Sequence, residues 1–338
     1  MTDHLVPPPR IAADAHPVSV APMMDRTDRH FRVLMRGITR RTLLYTEMVV
    51  AQAIRHGDRD HLLGFDDVEH PIALQIGGDD PELLALAARI GEDFGYEEIN
   101  LNVGCPSSRV QSGNFGVCLM GDPDRVARCI DAMRQAVSIP VTCKHRIGFD
   151  DRDEYDHMKD FVLRVAPTGC DRFTVHARKA WLKGLSPKEN RNIPPLRYDE
   201  VYRLKQELPH LAIEINGGLT VADIPAQLQQ VDAVMLGRAA WDDPYSFATV
   251  DRDIYGDDHA VPSRAELVQQ YIPYAEQRAA LGDRNSHLVK PLINLYAGQV
   301  GGRIWRRELT GVNGRGAVRE VLERAVSAVE DARARTVA

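Results

Sequence analysis

Eight short runs rich in β-branched and aromatic residues, each closed by turn residues, punctuate the chain between Val18 and Arg238 and constrain its fold more than any other feature. They are "VSVAPM" at Val18, "TLLYTEMV" at Thr42, "PIALQIGG" at Pro71, "EEINLNVG" at Glu97, "PVTCKHRI" at Pro140, "RFTVHAR" at Arg172, "AIEINGG" at Ala212 and "AVMLGR" at Ala233. The segments between them are amphipathic or charged and long enough for a helix. The clearest is "PELLALAARIGEDFG", where Leu83, Leu86, Ala87 and Ile90 recur at helical spacing behind Asp80 as N-cap. Strand alternating with helix predicts parallel strands, and eight such units predict a (β/α)8 TIM barrel of the α/β class. The rival is an open doubly wound sheet. It needs fewer strands or a G-x-G-x-x-G turn, and none of the eight runs is followed by one.

After Arg238 the pattern stops. "YGDDHAVPSR" reads as a polar linker with Gly256 and Pro262, and Ser263 with Glu266 fits a capping box. "ELVQQYIPYAEQRAAL" and "REVLERAVSAVEDARAR" then carry apolar residues at helical steps. The expected organisation is a flexible N-terminal tail over 1–15, a barrel over 16–252 and a smaller C-terminal helical domain over 262–338. A helical extension packed on the barrel is the simpler alternative.

A hydrophobic content of 44% with 27% charged residues fits a soluble globular chain. The net charge of −6 argues against a uniformly basic nucleic-acid binder but leaves local patches open. Five cysteines, odd in number and without a C-x-x-C pair, predict neither a disulfide framework nor a metal site and point to a reducing compartment. The opening "MTDHLVPPPRIAADAHPVSV" lacks the basic start and unbroken apolar run of a signal peptide, and no segment approaches the roughly 20 apolar residues of a membrane-spanning helix. A cytoplasmic protein with no membrane contact is expected.

In such a barrel the C-terminal ends of the strands line the mouth. Ala21, Pro22 and Met23 end the first run, Gln75 lies in the third, Asn102 and Cys105 end the fourth, Lys144 and Arg146 lie in the fifth and His176 in the sixth. The seventh and eighth end in Asn216-Gly217-Gly218 and Gly237-Arg238. Glycines there let backbone N–H groups approach phosphate oxygens, and an arginine adds a charge-assisted contact. Two ordinary turns are the plain alternative. One phosphate clamp without a dinucleotide fingerprint points to a mononucleotide cofactor such as FMN, beside which Lys144 would stabilise negative charge. A solvated or salt-bridged lysine is the alternative there.

"NVGCPSSRVQSGNFGVCLM", Asn102 to Met120, holds two thiols of different character. Cys105, followed by Pro106 at a strand end, reads as a small buried side chain in a bend. Cys118 follows Gly113 and Gly116, in a segment able to carry a thiol over the mouth, although an inert loop thiol satisfies the same residues.

"VAPMMDRTDRHFR", "LLYTEMV", "ALQIGG", "EINLNVGCPSSRVQSGNFGVCLM", "VHARKAWLKGLSPKENRNIPPL" and "INGG" closely resemble the tRNA-dihydrouridine synthases, specifically their A subgroup. The likeness runs from about Val18 to Arg238 and resumes in "GRIWRREL". It implies an FMN barrel followed by a helical tRNA-binding domain, with NADPH as electron donor, that reduces D-loop uridines of tRNA at positions 20 and 20a. The resemblance sets the catalytic cysteine on Cys118. It sets flavin-binding positions on Ala21, Pro22, Met23, Gln75, Lys144, His176, Asn216, Gly217, Gly218, Gly237 and Arg238, and it brings Asn102 close to the target base. Hydride arriving at C6 of uracil leaves an enolate-like charge that a proton at C5 must quench, and an ordinary thiol, mostly protonated at neutral pH, suits that role. Cys143 and His145 beside Lys144, and Met24 with Arg26, depart from the family pattern.

From Arg172 to Arg197 seven basic residues, Arg172, Arg178, Lys179, Lys183, Lys188, Arg191 and Arg197, face the single acid Glu189. From Gly301 to Arg324 six arginines face Glu308, Glu320 and Glu323. Arg178, Lys179, Arg303, Arg306 and Arg307 are the expected RNA contacts, with Trp181 and Trp305 as stacking surfaces. The plain alternatives are a solvated charged face and core tryptophans. Two other functions fit more loosely: an FMN barrel acting on a free small molecule, disfavoured by the basic insert and helical tail, and a non-catalytic RNA-binding barrel, disfavoured by the presence of Cys118, Lys144 and His176.

Overall fold

A computed structural model describes residues 7–11, 15–107, 113, 115–311 and 314–337. Its strands are β1 (Val18–Val20), β2 (Leu43–Tyr45), β3 (Val49–Val50), β4 (Ile72–Gly77), β5 (Glu98–Val103), β6 (Val141–Arg146), β7 (Phe173–His176), β8 (Ile213–Asn216) and β9 (Ala233–Leu236). They form one sheet in the order β2-β1-β9-β8-β7-β6-β5-β4-β3, and β2 also pairs with β4, which closes eight strands into a cylinder. All pairings are parallel, as a (β/α)8 barrel requires. Each of the eight predicted runs supplies one of these strands. β3 is a two-residue addition against the C-terminal end of β4, Val49 opposite Ile76 and Val50 opposite Gly77.

The helices start where the side chains direct. Asp80 accepts a hydrogen bond from the Leu83 N–H ahead of the helix Pro81–Asp93, and Asp122 does the same for Arg125 ahead of Pro123–Ala136. Both carry proline at the first position, where no N–H is missed. Leu83, Leu84, Ala87, Ala88 and Ile90 of the first, and Val126, Cys129, Ile130 and Met133 of the second, are buried.

The barrel interior is polar where the strands begin. Glu98 takes Arg172 Nη2 at 2.6 Å and Thr142 Oγ1 at 2.6 Å, with the Tyr45 hydroxyl on the same carboxylate. Glu214 takes Ser19 Oγ at 2.6 Å and the Thr174 hydroxyl, and lies 3.8 Å from Arg172 Nε. Against the burial that would discharge it, Glu98 and Glu214 hold Arg172 ionised. Burial raises the Glu98 carboxyl and drives the Tyr45 phenol well above its usual range. Arg172, expected in the RNA-facing basic stretch, is therefore a barrel-interior residue only 3% exposed. It sits two residues before Thr174, whose hydroxyl also meets Glu214, so strand alternation turns it into the cylinder.

Packing divides the chain into two compact units interleaved in sequence, in place of one linear boundary between 252 and 262. One comprises Met1–Met23, Leu43–Phe65 and Pro71–Gly237; the other comprises Met24–Thr42, Asp66–His70 and Arg238–Ala338. In the second unit the helix Arg29–Ile38 brings Gly37 against Leu267 of the helix Arg264–Ala280, and Phe31 stacks 5.5 Å from Trp241. Buried Asp251 accepts bonds from Thr39 Oγ1 and Arg40 N, both at 2.5 Å, and Arg32 pairs with buried Glu69 at 2.6 Å. Arg264–Ala280 opens with the Ser263–Glu266 capping box. Trp305 is fully buried, its ring 4.7 Å from Tyr296 and its Nε1 donating to the Leu292 carbonyl at 2.7 Å, so it is a core residue and not the stacking surface expected of it. Among the described residues no helix is long and apolar enough to cross a membrane.

Candidate active site at the barrel mouth

On β6 the inward residues are Thr142, Lys144 and Arg146, and Cys143 and His145 occupy the opposite face. Lys144 Nζ donates to Asn216 Oδ1 at 3.0 Å, and Asn216 Nδ2 donates to the Met235 carbonyl at 2.8 Å. A half-buried ammonium whose hydrogen bond goes to a neutral amide is poorly compensated. Burial first, and the Arg146 guanidinium second, pull Lys144 down to about 8. Arg146 spends its own donors on backbone, reaching Gly104 O at 2.8 Å, Lys179 O at 3.0 Å and Asn190 O at 3.3 Å. It braces the loops after β5 and β7. His145 packs 4.9 Å from Phe161, and burial pulls it down to about 4, so it is a neutral residue of the wall.

Asn216-Gly217-Gly218 leaves β8 with φ of +128° at Gly217 and +69° at Gly218. A Cβ on Gly217 would lie 2.9 Å from His176 Cδ2 and 3.0 Å from Leu196, and one on Gly218 would lie 3.0 Å from Leu196. Only glycine fits this turn, and its bare backbone is what an anion requires. A Cβ on Gly237 would stand 3.7 Å from Ala21 and 3.8 Å from Met23, ordinary contacts that show how closely the ends of β9 and β1 approach. Ala21 N–H donates to Leu236 O at 2.8 Å at the same place, with half-buried Pro22 next along the chain. Arg238 opens the short helix Arg238–Asp242.

Cys118 lies on the 3-10 turn Gly116–Gly121, entered through Gly116 at φ +68°. The Val117 N–H donates to Cys105 O at 3.1 Å, which returns this segment to the end of β5. Residues 108–112 and 114 lie outside the described residues. The Cys118 thiol is half-buried; burial pushes it up, and Asp150 adds to that rise. Cys105 is not the buried thiol expected. It is half-buried, as Cys118 is, its Sγ 3.6 Å from Ser107 Oγ, and Asn102 Oδ1, which takes the N–H groups of Cys105 and Gly104 at 3.0 and 3.2 Å, fixes the turn in place of thiol packing. The other thiols are buried: burial pushes Cys129 up to about 12 and also raises Cys143 and Cys170.

The expected RNA ligands divide. Arg178 is 9% exposed and donates to the Pro194 carbonyl; Lys179 pairs with Asp153 at 3.2 Å, donates to Asp150 O at 3.1 Å and sits 4.0 Å over the half-buried Trp181 ring. Arg178 closes the loop after β7 on itself, and Lys179 ties that loop to the segment after β6. Arg303, Arg306 and Arg307 stand exposed on the helix Gly302–Leu309, with Arg307 3.3 Å from Glu308.

Sequence inspection passed over Glu98, Asn100 and Thr142. Asn102 Nδ2 donates to Gln75 Oε1, Gln75 Nε2 to Asn100 Oδ1 and Asn100 Nδ2 to Thr142 Oγ1, each at 2.8 Å, and Thr142 then donates to Glu98. The signal for them was present as polar residues two apart, 98, 100 and 102 in one strand and 142, 144 and 146 in another.

Comparison with known proteins agrees in kind. The family model described as dihydrouridine synthase matches residues 19–331. The tRNA-dihydrouridine(20/20a) synthase of Synechocystis sp. is 62% identical over 304 residues, 89% of this chain and 91% of that one. Those of Xanthomonas campestris pv. campestris and Escherichia coli O6:H1 are 50% and 49% identical, covering 96% and 94% of this chain and 97% of each relative. Among solved structures, 2-naphthoyl-CoA reductase superposes with a TM-score of 0.54 at 11% identity over 75% of this chain and 53% of its own. Morphinone reductase in complex with tetrahydroNAD does so with a TM-score of 0.50 at 12% identity, covering 74% of this chain and 90% of its own. Likeness that distant speaks for the barrel alone.

Proposed function

We infer the activity from one premise: this chain belongs to the dihydrouridine synthase family. We propose that it reduces the C5=C6 bond of D-loop uridines at positions 20 and 20a of tRNA, using FMN and NADPH. The observation that carries the reading is the 62% identity, over 89% of the chain, to a protein of that name.

The residues present suit FMN. Its phosphate needs unobstructed backbone, and the Gly217–Gly218 turn is a place where a Cβ would collide. Its ring needs a cation nearby, and Lys144, among the described residues, bonds the amide of Asn216 and no acid. Asn216, Gly217, Gly218 and Gly237 would hold the phosphate end, and Ala21, Pro22, Met23, Gln75, Lys144 and His176 the ring. When bound, the flavin supplies the hydride that reaches C6.

The chain's own part is the proton. As C6 is reduced, electron density gathers at C5 and on the adjoining carbonyl, and Cys118 Sγ gives its hydrogen to C5. The thiolate left behind is reprotonated from water, so each turnover consumes NADPH and one proton and yields NADP⁺ and dihydrouridine. A thiol held above its usual range stays loaded at neutral pH, as an acid must. Asn102 orients the base. Arg303, Arg306 and Arg307 bind RNA phosphates, which offsets the few kcal/mol needed to extrude a base.

Purified protein should be yellow, oxidise NADPH, and form dihydrouridine in unmodified tRNA but not in free uridine. Equal reduction of free uridine would make it a small-molecule reductase, and tRNA binding by colourless, inactive protein would make it a binding barrel. Mass-spectrometric mapping of dihydrouridine in a strain with and without the gene reads the positions.

A further inference from the structure

The hydrogen-bond chain from Asn102 to Glu98 has a direction fixed at both ends. At the top, Asn102 Oδ1 is held by two backbone N–H groups, which can only donate, so its Nδ2 must face Gln75. At the bottom, Glu98 is bonded to Arg172 and, as a carboxylate, only accepts, so Thr142 must donate to it and accept from Asn100. Two neutral amides lie between, and each inherits its orientation from its neighbours. Thr142 and Asn100 are fully buried and Gln75 is 1% exposed, so water is excluded from competing for these bonds.

We propose that Thr142, acting through Asn100, is a positioning residue that locks the amides of Gln75 and Asn102 with nitrogen available as donor, so that the mouth selects a ring presenting carbonyl oxygens. This rests on the functional reading given above and sharpens it. The chain uses one hydrogen of Gln75 Nε2 and one of Asn102 Nδ2, and Lys144 Nζ gives one of its three to Asn216. What remains on these three nitrogens is hydrogen. A pyrimidine-2,4-dione, the unit shared by uracil and the flavin ring, meets these donors with its carbonyl oxygens. A 4-amino pyrimidine would turn a donor toward a donor there, and a buried donor left unpaired is costly. A reversed Gln75 would turn its amide nitrogen toward Asn102 Nδ2, unseat that donor and lose this discrimination.

Thr142→Val keeps the shape and deletes the hydroxyl; Thr142→Ser keeps the hydroxyl. The expected result is flavin binding roughly tenfold weaker in Thr142→Val, about one net hydrogen bond, with a shifted visible absorption envelope. Thr142→Ser should restore both. Wild-type affinity and spectrum in Thr142→Val, or equal damage in Thr142→Ser, would overturn the proposal. Should Thr142→Val fail to fold, neutron diffraction of the flavin-free wild type decides alone: deuterium on the Gln75 atom facing Asn100 supports the lock, and an oxygen there sinks it. A wild type that binds no flavin breaks the functional reading, yet the deuterium map still judges the amide direction, so the two failures are distinguishable.

Discussion

The two ends of the barrel interior use the same residue types to opposite purpose. Where the strands begin, Arg172 stands between Glu98 and Glu214 and every charge has a counter-charge within 4 Å. Where they end, Lys144 has an amide for its partner, Gly217 and Gly218 leave backbone bare, and the Cys118 thiol is half-buried. Charges that are already answered hold the fold, whereas charges left under-compensated are available to a ligand.

That contrast breaks most readily at the thiol. Cys118→Ala should lower dihydrouridine formation by about 10²- to 10⁴-fold, the range of general-acid catalysis, with flavin and tRNA binding kept. Single-turnover assays on purified tRNA read it, and a lowered melting temperature would mean the thiol holds structure after all. At the other end, Arg172→Met leaves two buried carboxylates uncompensated and should cost about 3–5 kcal/mol in urea unfolding. A stable, active variant would erase the distinction between the ends. Gly217→Val forces a β-branched residue to φ +128° against His176 and should weaken flavin binding, with backbone strain of about 1–3 kcal/mol, readable by fluorescence titration and melting.

The pH dependence tests Lys144. Its folded value near 8 lies below the ordinary lysine range, so activity that needs the ammonium should fall to about half as pH rises through 8, and Lys144→Arg should carry that limb upward. The linkage has a definite sign. Between pH 10.5 and 8 the unfolded chain takes up a proton that the folded chain refuses, so this residue's contribution to stability declines as pH falls through that window and is level below it. The smallest effect belongs to the surface: Arg303→Ala should raise KM a few-fold and reduce the salt slope of tRNA binding by about 0.7 to 0.9 if that arginine meets one phosphate.

Much of this was legible beforehand because strands and caps are local. β-rich runs predict strands wherever they close against one another, and Asp80 and Ser263 cap helices through bonds spanning three residues. The tandem glycines after β8 were legible for the same reason. Side-chain direction was not. Arg172 reads as one of seven basic residues until its bond to Glu98 shows it inside the cylinder, and Trp305 reads as a stacking platform among arginines until its indole N–H is seen on Leu292. Cys105 was misjudged because a neighbour three residues back, Asn102, caps the turn. The helix Arg29–Ile38 gives no local sign that its packing partners lie more than 200 residues along the chain.

Interleaving makes the order of synthesis matter. Thr39 leaves the ribosome 212 residues before Asp251, its hydrogen-bond partner. At 5–20 residues per second that is roughly 10 to 40 s during which Phe31, Leu34 and Met35, apolar and destined for burial, await their cover. A nascent chain of this design carries that helix uncovered for the interval, and a gene truncated after residue 237 would encode a product that never gains the cover.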